Sequence, residues 1–584
     1  MKKISLALIP ASCFLLLGIC RYYNASDSRS AAREFDTFTE SMFQSEITSS
    51  TLNLHYTLAE PENYGISDYP ITYGSTDKIS LVSSETGNSP EFYLKELSAI
   101  SYRNLSTNDQ LTYDILLLAL DNASKASDFA LYQEPLGPTI GVQAQLPVLL
   151  SEYTFYDEKD IRDYLELIAQ TDSYFSSLLH FERSRSDAGL FMTDTNADAI
   201  IAQCASFIEG DVKSNFLVTL FNEKIDSLSF LDASRKAELK LENLKAVKTH
   251  VLPAYELLME GLETLKGTGK NENGLCYFPA GKAYYEYLMR DTTGSYLPIE
   301  AIEKRIRQQL SQDILACQEL LREDPAAISQ TAVSSLPSEP EDILADLQEK
   351  MKEDFPQPPD VNVDVKYVHK SLEDFLSPAF YLTPPIDDLS ENVIYINNGS
   401  GYSDLELYTT LAHEGYPGHL YQNICTGSTP DPVRSLFSFG GYTEGWATYV
   451  EMESYNYAVT DESVRDCAEF ARLNRSVMLG LSSLLDICIH YHGYTREQTG
   501  NFLQQLGFAR ANSWNSLYDA ILESPVNYLK YYLGYLSFLD LRDYCQKYWP
   551  SLFNLKDFHR QILRIGPCPF PVLEKYMKLY YRSL

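Results

Sequence analysis

The run His413-Glu414-Gly415-Tyr416-Pro417-Gly418-His419 sets two imidazoles around a carboxylate. In zinc hydrolases of the His-Glu-x-x-His type, two imidazoles one helical turn apart hold the metal, and the glutamate beside the first acts as a base toward water. Here the second histidine stands six residues after the first. On a regular helix that places it about 120° around the axis, so an unbroken helix cannot aim both rings at one ion. Proline disrupts the helical hydrogen bond and glycine accepts unusual backbone angles. Pro417 and Gly418 therefore permit the chain to leave the helix and swing His419 back toward His413. A metal site requires that break; without it these are two unrelated histidines near a helix end.

A second run, Gly440-Gly441-Tyr442-Thr443-Glu444-Gly445-Trp446-Ala447-Thr448-Tyr449-Val450-Glu451, reads as the start of another helix. Glu444, Thr448 and Glu451 share one of its faces, because seven residues return to within ~20°. Glu444 can supply a third protein ligand and leave the fourth position of a Zn2+ ion open. Glu451 is suited to orienting a ligand histidine from behind. An acidic helix face is ordinarily a solvated one, but Trp446, Ala447 and Val450 beside these carboxylates argue for a helix buried on several sides.

These residues need a body to position them. Ser403 and Glu406 predict a capping box that opens the helix leading to His413, with Leu405, Tyr408 and Leu411 as its apolar stripe. Upstream, stretches such as Gln110–Asn122, Ile161–Phe181 and Ser234–Gly261 repeat apolar residues at three- and four-residue intervals. β-like runs are confined to Val361–Val368 and Asn392–Asn397, the second of which is expected to offer a sheet edge to an extended peptide. The expectation is a mainly α fold, a large helical body with a small β-sheet beside the metal cleft. It occupies residues 35–584 as a single unit, with an N-terminal helical half at about 35–266 and a metal-site half at about 267–584.

The 584 residues are 45% hydrophobic and 22% charged, a balance that can bury a large core. Eighty acidic against 47 basic residues leave a net charge of −33. With no basic patch along the chain, nucleic acid is excluded as a partner. Lys2 and Lys3 precede an uncharged stretch from Ile4 to Ile19, the form of an export signal, and Leu17-Gly18-Ile19-Cys20 resembles a lipobox. Residues 1–20 are thus expected to be a signal peptide or lipoprotein signal and 21–34 a polar linker. The only membrane contact expected is this N-terminal anchor, and the place of work is the cell surface. Eight cysteines lie beyond the signal with no Cys-x-x-Cys pair, leaving scattered thiols and long-range disulfides as alternatives. Oligomeric state cannot be read.

The two central motifs together resemble the large bacterial family catalogued as domain of unknown function 885, whose members resemble zincin metallopeptidases. Phe278-Pro-Ala-Gly281-Lys-Ala-Tyr284-Tyr285, Ser377-Pro-Ala-Phe-Tyr381, Asp486-Ile-Cys-Ile-His490 and Pro525-x-Asn527-x-x-x-Tyr531-x-x-Gly534 agree with it, and the resemblance runs from about residue 35 onward. It implies a zincin-like fold and a hydrolytic zinc site on His413, Glu414, His419 and Glu444. The family pattern also singles out His490, its imidazole held by Asp486, and Tyr531; both are expected to stabilise charge on a tetrahedral intermediate. The function expected is a zinc-dependent peptidase acting on short peptides. The rival is a non-catalytic, metal-containing surface lipoprotein that binds peptides or a partner. Glu414 favours the enzyme, since a binder has no need of a base.

Overall fold

Helix starts along the chain are set by side chains that accept otherwise unpartnered amide protons. Ser106, Asp157 and Ser403 each receive the N–H of the residue three positions on, and Asp109, Asp160 and Glu406 accept the cap's own N–H in return. The computed structural model describes residues 8–75, 89–328, 336–368, 370, 373, 377–427, 431–459, 464–508 and 512–584. Lys2 and Lys3 of the expected signal lie outside the described residues.

The helices that build and support the site are α1 (Leu8–Ile47), α2 (Thr107–Ala123), α3 (Gly281–Thr293) and α4 (Pro340–Lys350). After a small sheet come α5 (Asp404–Glu414), α6 (His419–Thr426), α7 (Gly440–Tyr457) and α8 (Arg465–His490). The chain closes with α9 (Asn527–Tyr548), α10 (Leu555–Ile565) and α11 (Phe570–Ser583). Residues 21–34, expected as a linker, are helical within α1, and Ala31 is already buried. No described helix is long and apolar enough to cross a membrane.

Buried apolar residues form two cores. One runs from Leu136 to Leu265 and takes in Leu52 and Val368. The other unites Ala31–Ala126 with Leu275–Tyr581. The N-terminal half thus divides within itself: α1 packs on the turn Pro432–Leu436, and α2 packs on α3 and α11, because their apolar faces complete the core of the metal-site half.

The sheet has three strands, β1 (Asn362–Tyr367), β2 (Ala379–Leu382) and β3 (Glu391–Ile396), in the order β1-β3-β2. β3 pairs parallel with β1 (Val365 opposite Ile394) and antiparallel with β2 (Tyr381 opposite Ile394). The expectation that Asn392–Asn397 is an edge is therefore corrected: both sides of β3 are taken, and Ile394 and Ile396 are buried as a central strand requires. The free edge near the site belongs to β2, whose four residues carry too little pattern to be read as a strand. All eight cysteines of the body are free thiols.

Candidate metal centre

The helix that carries His413 ends one residue later, at Glu414. Gly415 takes φ −107° and ψ −100°, Tyr416–Pro417 is a cis peptide, and α6 begins at His419. Gly418 is obligatory for this path, since a Cβ there would stand 1.8 Å from the carbonyl oxygen of His413. The indole N–H of Trp446 donates to the carbonyl of Pro417 at 2.9 Å and ties the reversal to α7. The break anticipated from Pro417 and Gly418 is thus present. It sets the two imidazoles nearly perpendicular, with ring centroids 4.9 Å apart.

His413, His419 and Glu444 form a cluster whose ligand atoms all lie within 4.8 Å of one another. Glu444 Oε2 is 3.5 Å from His413 Nε2 and 3.2 Å from His419 Nε2. On the far side of its ring, His413 Nδ1 is 3.0 Å from Glu451 Oε2, and Glu451 Oε1 accepts from Arg475 Nε at 2.7 Å. A proton on Nδ1 bonded to Glu451 leaves Nε2 to present its lone pair inward. The seven-residue return of α7 accomplishes this, since Glu444 and Glu451 flank one ring from opposite sides.

The electrostatics favour positive charge where the three groups meet. Burial works against a charged His413, but its bonds to Glu444 and Glu451 and the nearby charge of Glu414 lift its pKa to about 10. Burial likewise opposes ionisation of Glu444, yet His413, His419 and Lys530 hold its carboxyl well below the usual carboxylate range. For Glu451 burial is outweighed by Arg475 and His413, which bring it down to about 2. The cluster is built to hold a cation, a proton or a metal ion.

Glu414 points to the sheet, where its Oε2 accepts the N–H of Tyr381 at 2.9 Å. The edge of β2 that β3 leaves unpaired therefore meets Glu414 beside the His413, His419 and Glu444 cluster. Tyr531 comes from α9, its ring 6.3 Å from that of His413, and its hydroxyl feels the charges of Glu444 and Glu414. Burial and the charges of Glu444 and Glu414 push its pKa up, which keeps the hydroxyl protonated. The preceding residue, Lys530, sits 3.4 Å from Glu444 Oε1. Both reach the site because α7 and α9 touch backbone to backbone: a Cβ on Gly534 would lie 2.2 Å from the Gly441 carbonyl oxygen, and one on Gly445 2.5 Å from the Gly534 Cα.

The family described as "Bacterial protein of unknown function (DUF885)" matches residues 88–577. The chain belongs to this family. No curated protein matches this DUF885 chain. Among solved structures, a protein of Colwellia psychrerythraea called a "putative lipoprotein" superposes with a TM-score of 0.79 at 20% identity, covering 95% of this chain and 100% of its own. A Shewanella oneidensis protein called a "putative lipoprotein of unknown function" superposes with a TM-score of 0.61 at 15% identity, covering 93% and 99%. At such identities the likeness is one of fold.

Two residues that the family pattern singles out in this DUF885 chain, His490 and Asp486, are not brought to the His413, His419 and Glu444 cluster in the manner expected. His490 is buried with both ring nitrogens engaged: Nδ1 accepts the N–H of Leu275 at 3.2 Å, and Nε2 is 2.8 Å from the carbonyl oxygen of Ile521. Burial lowers its pKa to about 4, so it stays neutral. Asp486 does not hold that ring. Its carboxyl accepts the hydroxyl of Tyr285 at 2.6 Å and the N–H of Val526 at 2.9 Å. The physical reason is close packing: Gly274 lets the chain pass against Ile489, and His490 joins two segments there, while Asp486 holds the first turn of α9. Arg475, Lys530 and the Tyr381 amide were not foreseen. Lys530 adjoins Tyr531 in sequence, whereas nothing in the sequence links Arg475 to Glu451.

Proposed function

We propose that this DUF885 protein is a zinc-dependent peptidase with a zincin-like site, acting on short peptides at the cell surface. One observation carries the reading: two imidazoles and a carboxylate converge, with a second carboxylate, Glu414, beside them at a free strand edge. The donor set fits zinc, which takes nitrogen and oxygen ligands and in catalytic sites has three from the protein. His413, His419 and Glu444 would hold it, and when bound it would lend Lewis acidity to the substrate carbonyl and to water.

The chain's own groups then divide the work. Glu451, anchored by Arg475, keeps His413 in the tautomer that offers Nε2. The edge of β2 that β3 leaves unpaired can receive an extended peptide through its main-chain groups other than the Tyr381 N–H, which Glu414 holds. Glu414 takes the proton from the attacking water and delivers it to the leaving amine. Tyr531, a protonated donor beside the ligands, stabilises the oxyanion. For location, support comes from the signal-like N-terminus ending at Cys20 and from the lipoprotein descriptions of the two similar structures.

The test is Glu414→Gln, which nearly preserves shape but removes the base. Zinc content should persist at about one ion per chain while turnover of a mixed pool of short peptides, followed by mass spectrometry, falls by a factor on the order of 10²–10⁴. A zinc-loaded parent that cleaves nothing in a broad pool would favour the peptide-binding lipoprotein instead.

A further inference from the structure

Among the described residues, Val526 is the one non-glycine with a positive φ. It takes φ 70° and ψ −5° immediately before α9 begins at Asn527, and its side chain is fully buried. The left-handed region brings Cβ against the backbone, a clash that glycine escapes and a β-branched residue feels most. Such a conformation persists only where its surroundings over-determine it.

Here the surroundings are one face of α8. Asp486 Oδ2 accepts the Val526 N–H at 2.9 Å, and Oδ1 of the same carboxyl is held by the Tyr285 hydroxyl at 2.6 Å. Ser483 Oγ donates to the carbonyl of Tyr528 at 3.1 Å, and His490 Nε2 lies 2.8 Å from the carbonyl oxygen of Ile521. At ~100° per residue, Ser483, Asp486 and His490 fall within an arc of about 60°. All three are buried, so water does not compete for these bonds. They grip the chain on both sides of Val526: Ile521 in the helix Asn512–Glu523 before the turn, and Tyr528 in α9 after it.

The residues that follow Val526 reach the cluster. Lys530 Nζ is 3.4 Å from Glu444 Oε1, and the ring of Tyr531 is 6.3 Å from that of His413. Both lie within about one and a half helical turns of Val526, so the direction in which the chain leaves that residue sets where they arrive. Arg475, on the same helix as Asp486 and within ~20° of its direction, grips Glu451 behind His413. One face of α8 thus supports the cluster by two routes.

We propose that Asp486, with Ser483 as a second hold, is a positioning residue for the site: by keeping Val526 left-handed it fixes the direction in which α9 starts, and so places Lys530 and Tyr531 beside Glu444 and His413. The placement rests on this geometry, and its bearing on turnover rests on the peptidase reading. The run Asp486-Ile-Cys-Ile-His490 then serves the site although neither its carboxyl nor its imidazole meets the cluster.

The test replaces Tyr531 by 3-fluorotyrosine in the full, metal-free chain and follows its fluorine resonance, a readout that needs neither metal nor turnover. In Asp486→Ala the resonance should leave the parent position. The kcat for a peptide that the zinc-loaded parent cleaves should fall on the order of 10–100-fold, with KM little changed. Asp486→Asn, whose amide oxygen still accepts the Val526 N–H, should keep both. The deciding variant combines Asp486→Ala with Val526→Gly. Glycine takes a positive φ without the clash, so the resonance should return to the parent position and most of the turnover with it. General loosening of the fold would not be cured by a second truncation in the core. Should Asp486→Ala fail to fold, Ser483→Ala, which removes one buried hydroxyl, should move the resonance part of the way. A resonance unmoved in whichever of these folds, or moved in Asp486→Ala and not returned by Val526→Gly, would overturn the positioning role while leaving the peptidase reading intact. A resonance that moves and returns as stated, in a chain whose zinc-loaded parent cleaves no peptide, would do the reverse.

Discussion

His413 is gripped on both ring nitrogens by carboxylates of one helix, and the outer carboxylate is itself held by Arg475. Arg475→Met would leave Glu451 buried without its counter-charge, free to draw a proton or to turn from the ring. Metal affinity, measured by competition against a chromophoric chelator, should fall on the order of 10–100-fold with the three ligands intact. Unchanged affinity would remove Arg475 from the positioning of His413. Asp486 supplies a prediction of another kind. Burial, only partly offset by Tyr285 and Val526, raises its pKa from 3.8 to about 7. The folded state thus holds this proton more tightly than the unfolded chain, so its contribution to stability is fully present below about pH 4 and is lost as pH rises toward 7, on the order of 4 kcal/mol at most. The buried neutral His55, His490 and His559, with lowered pKa values, act in the opposite sense over the same range. The measurement is therefore a difference. Denaturant unfolding of the parent minus that of Asp486→Asn should decline between pH 4 and 7, and parallel curves would show that the carboxyl is ionised in the fold.

Among the elements, the pair α7 and α9 decides whether Tyr531 and Lys530 reach Glu444, and their approach depends on Gly441, Gly445 and Gly534. Gly534→Val forces side-chain atoms against the Gly441 carbonyl. It should cost about 1–3 kcal/mol, the usual range for overpacking, seen as a lowered Tm. It should also shift Tyr531 away from His413 and Lys530 away from Glu444, so that turnover falls further than in Tyr531→Phe, which removes the hydroxyl alone. If Gly534→Val matched Tyr531→Phe, the helix spacing would matter only through that hydroxyl. The helix carrying His413 was legible from its ends, Ser403 with Glu406 at the start and Pro417-Gly418 after its close, because capping and breaking act over three or four residues. β2 escaped notice because a four-residue edge strand has almost no period to detect, and its role depends on Glu414 meeting the Tyr381 amide 33 residues away in sequence.

Over the whole molecule, helix α1 links the N-terminal segment to the core around the His413, His419 and Glu444 cluster, through Phe35, Met42, Phe43 and Ile47. In the surface-lipoprotein reading Cys20 carries the lipid, and the helical residues between it and Ala31 form a spacer of roughly 15 Å. That exceeds a Debye length of about 8 Å, enough to screen an acidic body from an anionic bilayer. Labelling cells with a radioactive fatty acid should mark the parent and not Cys20→Ala. Label retained in the variant, or absent from the parent, would remove the lipid anchor.

The sequence by itself determined the mainly helical architecture, the break between His413 and His419, and the shared face of Glu444 and Glu451, since each follows from residues within two helical turns of one another. Tertiary structure alone decided the rest. Arg475 behind Glu451, Lys530 beside Glu444 and the Tyr381 amide on Glu414 all arise where distant segments pack. His490 shows the limit in the other direction. A histidine four residues from an aspartate on one helix face has the spacing of a pair, but the packing of Leu275 and Ile521 around the ring claimed both nitrogens, and the carboxylate went to Tyr285 and the start of α9. Spacing proposes a partner within a helix; burial awards each polar atom to whichever group the folded chain brings closest.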